Sequence, residues 1–299
     1  MNRRLDALQV FPALVVLALG VLTGGLSNVT SGGAGVFTIY FLTAYVGLAI
    51  QDSTGTVLAA STIIVLIGAI SFYRKGGVDM QLALTVGVSG VAGAFAAARW
   101  ASTIHSSTLE SAFGGFTLAI AFFTAYRFVA GRGRGVADRI SANPTRVTDA
   151  EEGVNSSVQE GTHGSQRSRW AGSDPIALTV QIAKGVSIGV ATGLFGVGLA
   201  SLSVVLFMLL FKLDTKTILG TNLFASFFRY LGGSVGYLTA GQVDPFYFSI
   251  LAVGGAIGSI IGAKLVLRRG GGSRDVYIKG IVIGILLFIS YEFLLKRII

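Results

Sequence analysis

Long apolar runs alternate with short polar stretches along most of the chain. Most runs approach the length of about 20 residues that a helix needs to cross roughly 30 Å of hydrocarbon. The predicted transmembrane segments are 10–26, 34–50, 55–73, 80–98, 109–130, 176–196, 198–211, 217–239, 246–267 and 276–295. The pattern therefore predicts an all-α polytopic membrane protein of about ten transmembrane segments. We interpret the first run as a retained helix rather than a signal peptide, because its ending recurs inside the chain.

One polar stretch divides the runs into two groups of five. Residues 131–175 are rich in Gly, Ser and charged side chains and show no apolar periodicity. A segment of this composition cannot bury enough surface to fold alone, so we predict a flexible linker. The predicted organisation is a first transmembrane repeat over 1–130, the linker, and a second transmembrane repeat over 176–299.

The two groups also share sequence. "GTVLAAS" at 55–61 returns as "GTNLFAS" at 220–226, and a gapless alignment of 55–100 with 220–265 contains 14 identities in 46 positions. Upstream, "GVLTG" ends one apolar run and "GVATG" ends another. Because each copy has an odd number of crossings, the second copy is predicted to have the opposite orientation in the membrane to the first. This is the inverted-repeat plan of secondary transporters, whose substrate site lies near the midplane at the repeat interface.

Several repeated residues have an architectural interpretation. Asp79 and Asp244 each precede a helical run, and Pro245 follows the second, which predicts helix N-caps rather than proton-transfer groups. Both copies also carry a stripe of small residues spaced by four, which lets helices approach closely in lipid. The stripe consists of Ser89, Gly93 and Ala97 in the first copy and of Gly254, Gly258 and Gly262 in the second.

Composition and charge agree with a membrane protein. The chain is 52% hydrophobic and 12% charged, about half the charged fraction of soluble domains. The net charge of +9 arises mainly from loops beside the apolar runs, so no nucleic-acid partner is expected. Thirteen Lys and Arg fall on the linker side and five on the side of the termini. By the positive-inside rule the linker is predicted to be cytoplasmic, with both termini outside the cell membrane, although Arg3 and Arg4 oppose this orientation.

Polar residues and glycines interrupt each copy. The first break, "GGLSNVTSGGAG" at 24–35, and the second, "TGLFGVGLAS" at 192–201, are each followed by a short apolar run. Non-helical backbone at membrane depth is tolerated where it is buried in protein or lines a cavity. The helix that follows such a break directs its N-terminal end at the gap, which suits an anion. The alternative is an ordinary polar loop at the membrane surface.

Two further features complete a predicted anion site. The "GT" helix starts place hydroxyl or amide groups in a first turn, where they either contact a ligand or cap the helix. Arg229 lies in the middle of an apolar run, and an ionisable side chain there is a functional hypothesis, with snorkelling as the alternative. Its planar fork suits oxyanions. The predicted substrate-binding residues are Ser27, Asn28, Thr30, Ser31, Gly32, Gly33, Thr56, Gly196, Gly198, Ser201, Thr221, Asn222 and Arg229.

These motifs resemble a known family. Two half-length repeats, each with a glycine break, a "GT" helix start and a "G-x-V-D" turn ("GGVD" at 76–79, "GQVD" at 241–244), are similar to the TauE/SafE sulfite exporter family. The resemblance covers roughly 20–125 and 180–295. It implies transport of sulfite, thiosulfate or organosulfonates such as sulfoacetate across the cytoplasmic membrane.

Other functions remain as alternatives. Within transport, they are a passive anion channel and a carrier for another small oxyanion or carboxylate. An intramembrane enzyme would need a nucleophile–base pair or metal ligands, but the chain has no cysteine and its two histidines lie outside the runs. We therefore predict no enzymatic activity, metal or cofactor. A purely structural membrane subunit is a further alternative. The predicted partners are a small anion and the lipid bilayer, and a homodimer is left open.

Overall fold

The computed structural model describes residues 2–30, 34–119, 122, 175–196 and 215–268. The predicted linker, except Pro175, and the predicted segments 198–211 and 276–295 lie outside these residues. Within the described residues the chain is helical and contains no strand.

Eight helices run through the described residues. They are α1 (Asn2–Thr30), α2 (Gly35–Phe41), α3 (Ile50–Tyr73), α4 (Met80–Ala101), α5 (106–119), α6 (Pro175–Phe195), α7 (Thr215–Leu238) and α8 (Pro245–Arg268).

Four stretches of these helices are long and apolar enough to cross a membrane. They are Ile50–Tyr73, Met80–Ala101, Leu178–Phe195 and Pro245–Leu267. For the described residues, this confirms an all-helical architecture with several candidate membrane-spanning helices. The stretch of α1 from Ala13 to Asn28 and the one from Gly35 to Val46 are apolar but shorter.

The first glycine break separates a long helix from a short one. Helix α2 continues as a π-helical turn over Leu42–Val46 and ends at Gly47, whose φ is 83°. The hydroxyls of Thr23 and Thr38 share a hydrogen bond of 2.8 Å, so α2 returns beside α1. Helix α1 continues to Thr30, so Asn28 is helical although it lies within the predicted break at 24–35. Asn28 and Ala34 are each 1% exposed. Residues 31–33 lie outside the described part, but the chain on both sides of them is buried within the protein.

Helices α3 and α7 pack against each other and run antiparallel. Gly55, near the start of α3, lies against Tyr237 near the end of α7, and Gly220, near the start of α7, lies against Phe72 near the end of α3. The turn at 239–244 therefore packs on the start of α3, and the turn at 74–79 packs on the start of α7. These two turns lie at opposite ends of the helix pair.

Close contacts at glycine join the outer helices of the bundle. A Cβ added at Gly258 in α8 would overlap the carbonyl oxygen of Val21 in α1. A Cβ added at Gly93 in α4 would lie 2.5 Å from the carbonyl oxygen of Val186 in α6. Only a residue without a Cβ allows such an approach, so the predicted packing role of the small-residue stripe is confirmed.

Both repeated aspartates cap helices. The Asp79 carboxylate accepts a hydrogen bond of 3.1 Å from the backbone N–H of Leu82. The Asp244 carboxylate accepts bonds of 2.9 and 3.0 Å from the N–H groups of Phe246 and Tyr247. These bonds satisfy N–H groups that have no partner within the first turn of a helix, and the predicted capping role is confirmed.

Candidate functional site

Arg229 lies in the middle of α7 and is 1% exposed. Its Nη2 donates hydrogen bonds to Asn222 Oδ1 at 3.1 Å and to Ser226 Oγ at 2.7 Å. Asn222 and Ser226 precede it by seven and three residues, so all three side chains lie on one face of the helix. Both partners are also fully buried. The guanidinium therefore does not snorkel to the surface but lies inside the protein.

Part of this guanidinium has no partner among the described residues. A guanidinium has five N–H donors, and the two on Nη2 are used by Asn222 and Ser226. Nε and Nη1 are buried and make no hydrogen bond within the described part of the chain. A buried donor without an acceptor is costly, and more so when the group is charged. The unpaired donors therefore make Arg229 the strongest candidate to receive an anionic acceptor.

A glycine in the other half makes room for this side chain. A Cβ added at Gly90 in α4 would lie 2.7 Å from Cγ of Arg229 and 3.0 Å from its Cδ. At the equivalent position of the repeat, Gly255 in α8 lies against the side chain of Ile64 in α3. The two halves thus share one packing arrangement, which holds an arginine in one place and an isoleucine in the other.

Asn28, a second predicted site residue, ties three helices together. Its Nδ2 lies within hydrogen-bond distance of the carbonyl oxygens of Gly24 and Ser259, at 3.2 and 3.0 Å, and of Ser259 Oγ at 3.1 Å. Ser259 Oγ in turn donates to the carbonyl oxygen of Ile64 at 2.8 Å. Asn28 Oδ1 is buried next to Gly68 and has no hydrogen-bond partner among the described residues. Neighbouring Ser27 is also buried.

Thr56 and Thr221 occupy equivalent positions at opposite ends of the α3–α7 pair. Because α3 begins at Ile50 and α7 at Thr215, neither threonine lies in a first turn, and that part of the prediction was wrong. Thr56 Oγ1 accepts a hydrogen bond of 2.9 Å from the backbone N–H of Asp244, and Thr221 Oγ1 accepts one of 2.9 Å from that of Asp79. A single shared site would require the two threonines to lie close together, and in this structure they do not. Each has a structural contact with the other half, and anion binding by either stays a prediction.

The remaining predicted site residues surround the two breaks. Gly196, with a φ of 70°, lies beside Ile39 in α2 and Thr54 in α3. It therefore brings the second break against the first half of the chain. The side chain of Thr30 and the residues Ser31, Gly32, Gly33, Gly198 and Ser201 lie outside the described residues.

The sequence prediction missed three residues that contact the site. Ser226 and Gly90 contact Arg229, and Ser259 contacts Asn28. Helical spacing could have identified Ser226, because a residue three positions before Arg229 lies on its face. Nothing local to Ser259 or Gly90 indicates their contacts, which cross between halves. In the described residues no cluster of three His, Asp or Glu could hold a metal ion.

Comparison of the chain with known proteins identifies similar membrane transporter proteins. The chain is similar to two proteins of Bacillus subtilis (strain 168). "Probable membrane transporter protein YdhB" is 27% identical over 251 residues, which cover 84% of this chain and 87% of that protein. "Probable membrane transporter protein YunE" is 23% identical over 264 residues, covering 84% and 88%. No solved structure is significantly similar. The family model for the sulfite exporter TauE/SafE matches residues 16–293, and the chain therefore belongs to the TauE/SafE family of membrane transporters.

Proposed function

We propose that this protein transports small sulfur-containing anions, namely sulfite, thiosulfate or organosulfonates such as sulfoacetate, across the cell membrane by alternating access. Arg229 is the observation that carries the proposal. It is a buried cation whose Nε and Nη1 have no acceptor among the described residues. The family description names sulfite export, whereas the names of the two relatives give membrane transport without a substrate.

An oxyanion supplies what Arg229 lacks. Its oxygens accept charge-assisted hydrogen bonds, which are shorter and stronger than neutral ones, and its charge offsets the buried guanidinium. Asn222 and Ser226 hold the guanidinium from one side, so an anion approaching Nε or Nη1 meets an oriented donor. Ser27, Asn28 and the residues of the two breaks are proposed to complete the site.

The burial of Arg229 also supports alternating access. Nε and Nη1 are enclosed in this conformation, so an anion reaches them only after helices move. A ligand that binds the open and closed conformations differently shifts the balance between them. A passive channel would instead keep a water-filled path to the binding groups.

The described contacts support an inverted arrangement of the two halves. Equivalent helices α3 and α7 run antiparallel, and the equivalent turns at 74–79 and 239–244 pack at opposite ends of this pair. We extend this to ten segments in two inverted five-segment repeats, joined by a cytoplasmic linker at 131–175. The proposed partners are a small anion and the bilayer, and not nucleic acid. The oligomeric state, with a homodimer as one outcome, has to be measured.

A carrier or channel for another oxyanion or a carboxylate is the second candidate, because the donors of Arg229 suit any such group. A thermal-shift screen of purified protein separates these candidates, with sulfite, thiosulfate, sulfate, sulfoacetate, taurine and acetate as ligands. We expect a sulfur-containing anion to raise the unfolding temperature most. Stabilisation by acetate alone, or by none of the six, would contradict the proposal.

Transport in proteoliposomes then separates a carrier from a channel. Liposomes loaded with unlabelled anion should accumulate labelled anion transiently, because a carrier exchanges one for the other across its single site. Simple equilibration without this counterflow would indicate a channel.

A further inference from the structure

The repeated "GT" phrase of each half docks onto the "G-x-V-D" turn of the other half. A Cβ at Gly220 would overlap the carbonyl oxygen of Gly77, and the next residue, Thr221, accepts the N–H of Asp79 at 2.9 Å. The same contacts recur at the other end of the helix pair. There Gly55 lies against the carbonyl oxygen of Gln242, and Thr56 accepts the N–H of Asp244 at 2.9 Å. We call these the Thr221 clasp and the Thr56 clasp.

Different side chains follow the two clasps along their helices. After Thr221 come Asn222, Ser226 and Arg229, which are hydrogen bonded to one another through Nη2 of the arginine. The equivalent positions after Thr56 are occupied by Val57, Ser61 and Ile64. Both clasps therefore join the halves with the same geometry, but only the Thr221 clasp leads directly to the buried cation.

We infer that Thr221 is a positioning residue for anion binding, which acts through Asn222 on the guanidinium of Arg229. Its hydroxyl anchors the first turns of α7 to the turn at 74–79. That anchor holds Asn222, the adjacent residue, where it can orient Nη2. Loss of this contact therefore alters the support of the guanidinium. The inference rests on the proposed function, since it concerns the same site.

Three variants test the link. Thr221→Val keeps the side-chain shape but loses the oxygen that accepts the Asp79 N–H, whereas Thr221→Ser retains it. Thr56→Val makes the same change in the other clasp and serves as the matched control. Sulfite is the probe, and both its Kd and the unfolding temperature are measured for purified protein in detergent.

We expect Thr221→Val to weaken sulfite binding about five-fold, the change in affinity that corresponds to the loss of one typical hydrogen bond. Thr221→Ser should keep most of the native affinity. Thr56→Val should lower the unfolding temperature about as much as Thr221→Val but change the Kd less. Equal losses of affinity in Thr56→Val and Thr221→Val would overturn the inference, and so would an unchanged Kd in Thr221→Val.

A second pair of variants separates positioning from direct contact between the Thr221 hydroxyl and the anion. Asp79→Ala removes the helix cap and keeps the backbone N–H. Asp79→Pro removes both, and the φ of −83° at this position is close to that of proline. If Thr221 acts through the turn, Asp79→Pro should weaken sulfite binding several-fold more than Asp79→Ala. Equal affinities in the two variants would indicate direct contact and overturn the inference.

Failure of the proposed function can be distinguished experimentally from failure of the positioning role of Thr221. If the unmodified protein binds none of the six ligands of the screen, the function is refuted before any variant is compared. If the unmodified protein binds sulfite and the variants do not follow the expected order, only the positioning role of Thr221 is refuted.

Discussion

A buried guanidinium with two unpaired nitrogens is a costly residue to keep inside a membrane protein. Asn222 and Ser226 satisfy Nη2 of Arg229, but Nε and Nη1 have no acceptor among the described residues. Replacing a buried ion pair with well-packed apolar residues of similar volume is often neutral or stabilising, and we expect the same for a buried cation without a counterion. Residues that lower stability in this way are expected at functional sites. Stability and binding should therefore respond in opposite directions when Arg229 is replaced.

We expect Arg229→Met to keep or raise the unfolding temperature while it abolishes measurable sulfite binding. Methionine fills much of the same volume without a charge that requires a partner. Arg229→Lys keeps the charge but loses the planar fork, so it should weaken binding less than Arg229→Met. Unfolding temperature and Kd are measured on the same samples.

Ile64→Met is the matched control, since Ile64 holds the equivalent position in α3 and packs against Gly255 as Arg229 packs against Gly90. It should leave sulfite affinity unchanged. Native affinity in Arg229→Met would make Arg229 a packing residue and remove the basis of the proposed site.

Among the helices, glycine determines how closely α3 and α7 approach the turns of the opposite half. Gly55 and Gly220 are the points where a carbonyl oxygen of the opposite turn meets the helix. Backbone atoms cannot move aside as a flexible side chain can. These positions should therefore tolerate no Cβ.

Gly220→Ala and Gly55→Ala should each lower the free energy of unfolding by about 1–3 kcal/mol, the usual cost of overpacking. Gly115→Ala in α5 is the control, because an added Cβ there meets no atom of the described residues within 4 Å. In the control, alanine should be neutral or stabilising by up to about 1 kcal/mol through its higher helix propensity. Thermal unfolding in detergent gives the comparison. If all three variants behave alike, the close docking of the turns does not contribute to stability.

For the whole molecule, the two equivalent turns differ in charge. The turn at 74–79 contains Arg74 and Lys75, whereas the turn at 239–244, at the other end of the α3–α7 pair, contains no Lys or Arg. By the positive-inside rule we therefore expect the turn at 74–79 to lie in the cytoplasm. The linker should lie on the same side, with both termini outside.

Cysteine accessibility can test this orientation, because the chain contains no cysteine. A membrane-impermeant maleimide should label Thr239→Cys in intact cells and label Lys75→Cys only after the membrane is permeabilised. Ser157→Cys in the linker should behave like Lys75→Cys. The opposite labelling pattern would place the linker outside the cell and reverse the proposed orientation.

Features that depend on neighbouring residues could be predicted from the linear chain. Apolar run length indicates a membrane helix because the bilayer has a fixed thickness, and the helices α3, α4, α6 and α8 confirm it. Asp79 and Asp244 are recognisable as caps because a cap bonds within its own first turn. The stripe through Gly93 and Gly258 is visible because helical spacing repeats along one face. The repeat and the family motifs are likewise properties of the amino-acid order.

Contacts between distant residues depend instead on how whole helices pack. Thr56 and Asp244 are 188 positions apart, and Asn28 and Ser259 are 231 apart, so no local pattern pairs them. The sequence presents Thr56 and Thr221 as equivalent contributors to one site, whereas the packing of α3 against α7 places them at opposite ends. Burial of Arg229 is also a tertiary property. Part of its surroundings comes from Gly90 in another helix. Local sequence does not distinguish an enclosed guanidinium from one that reaches the membrane surface.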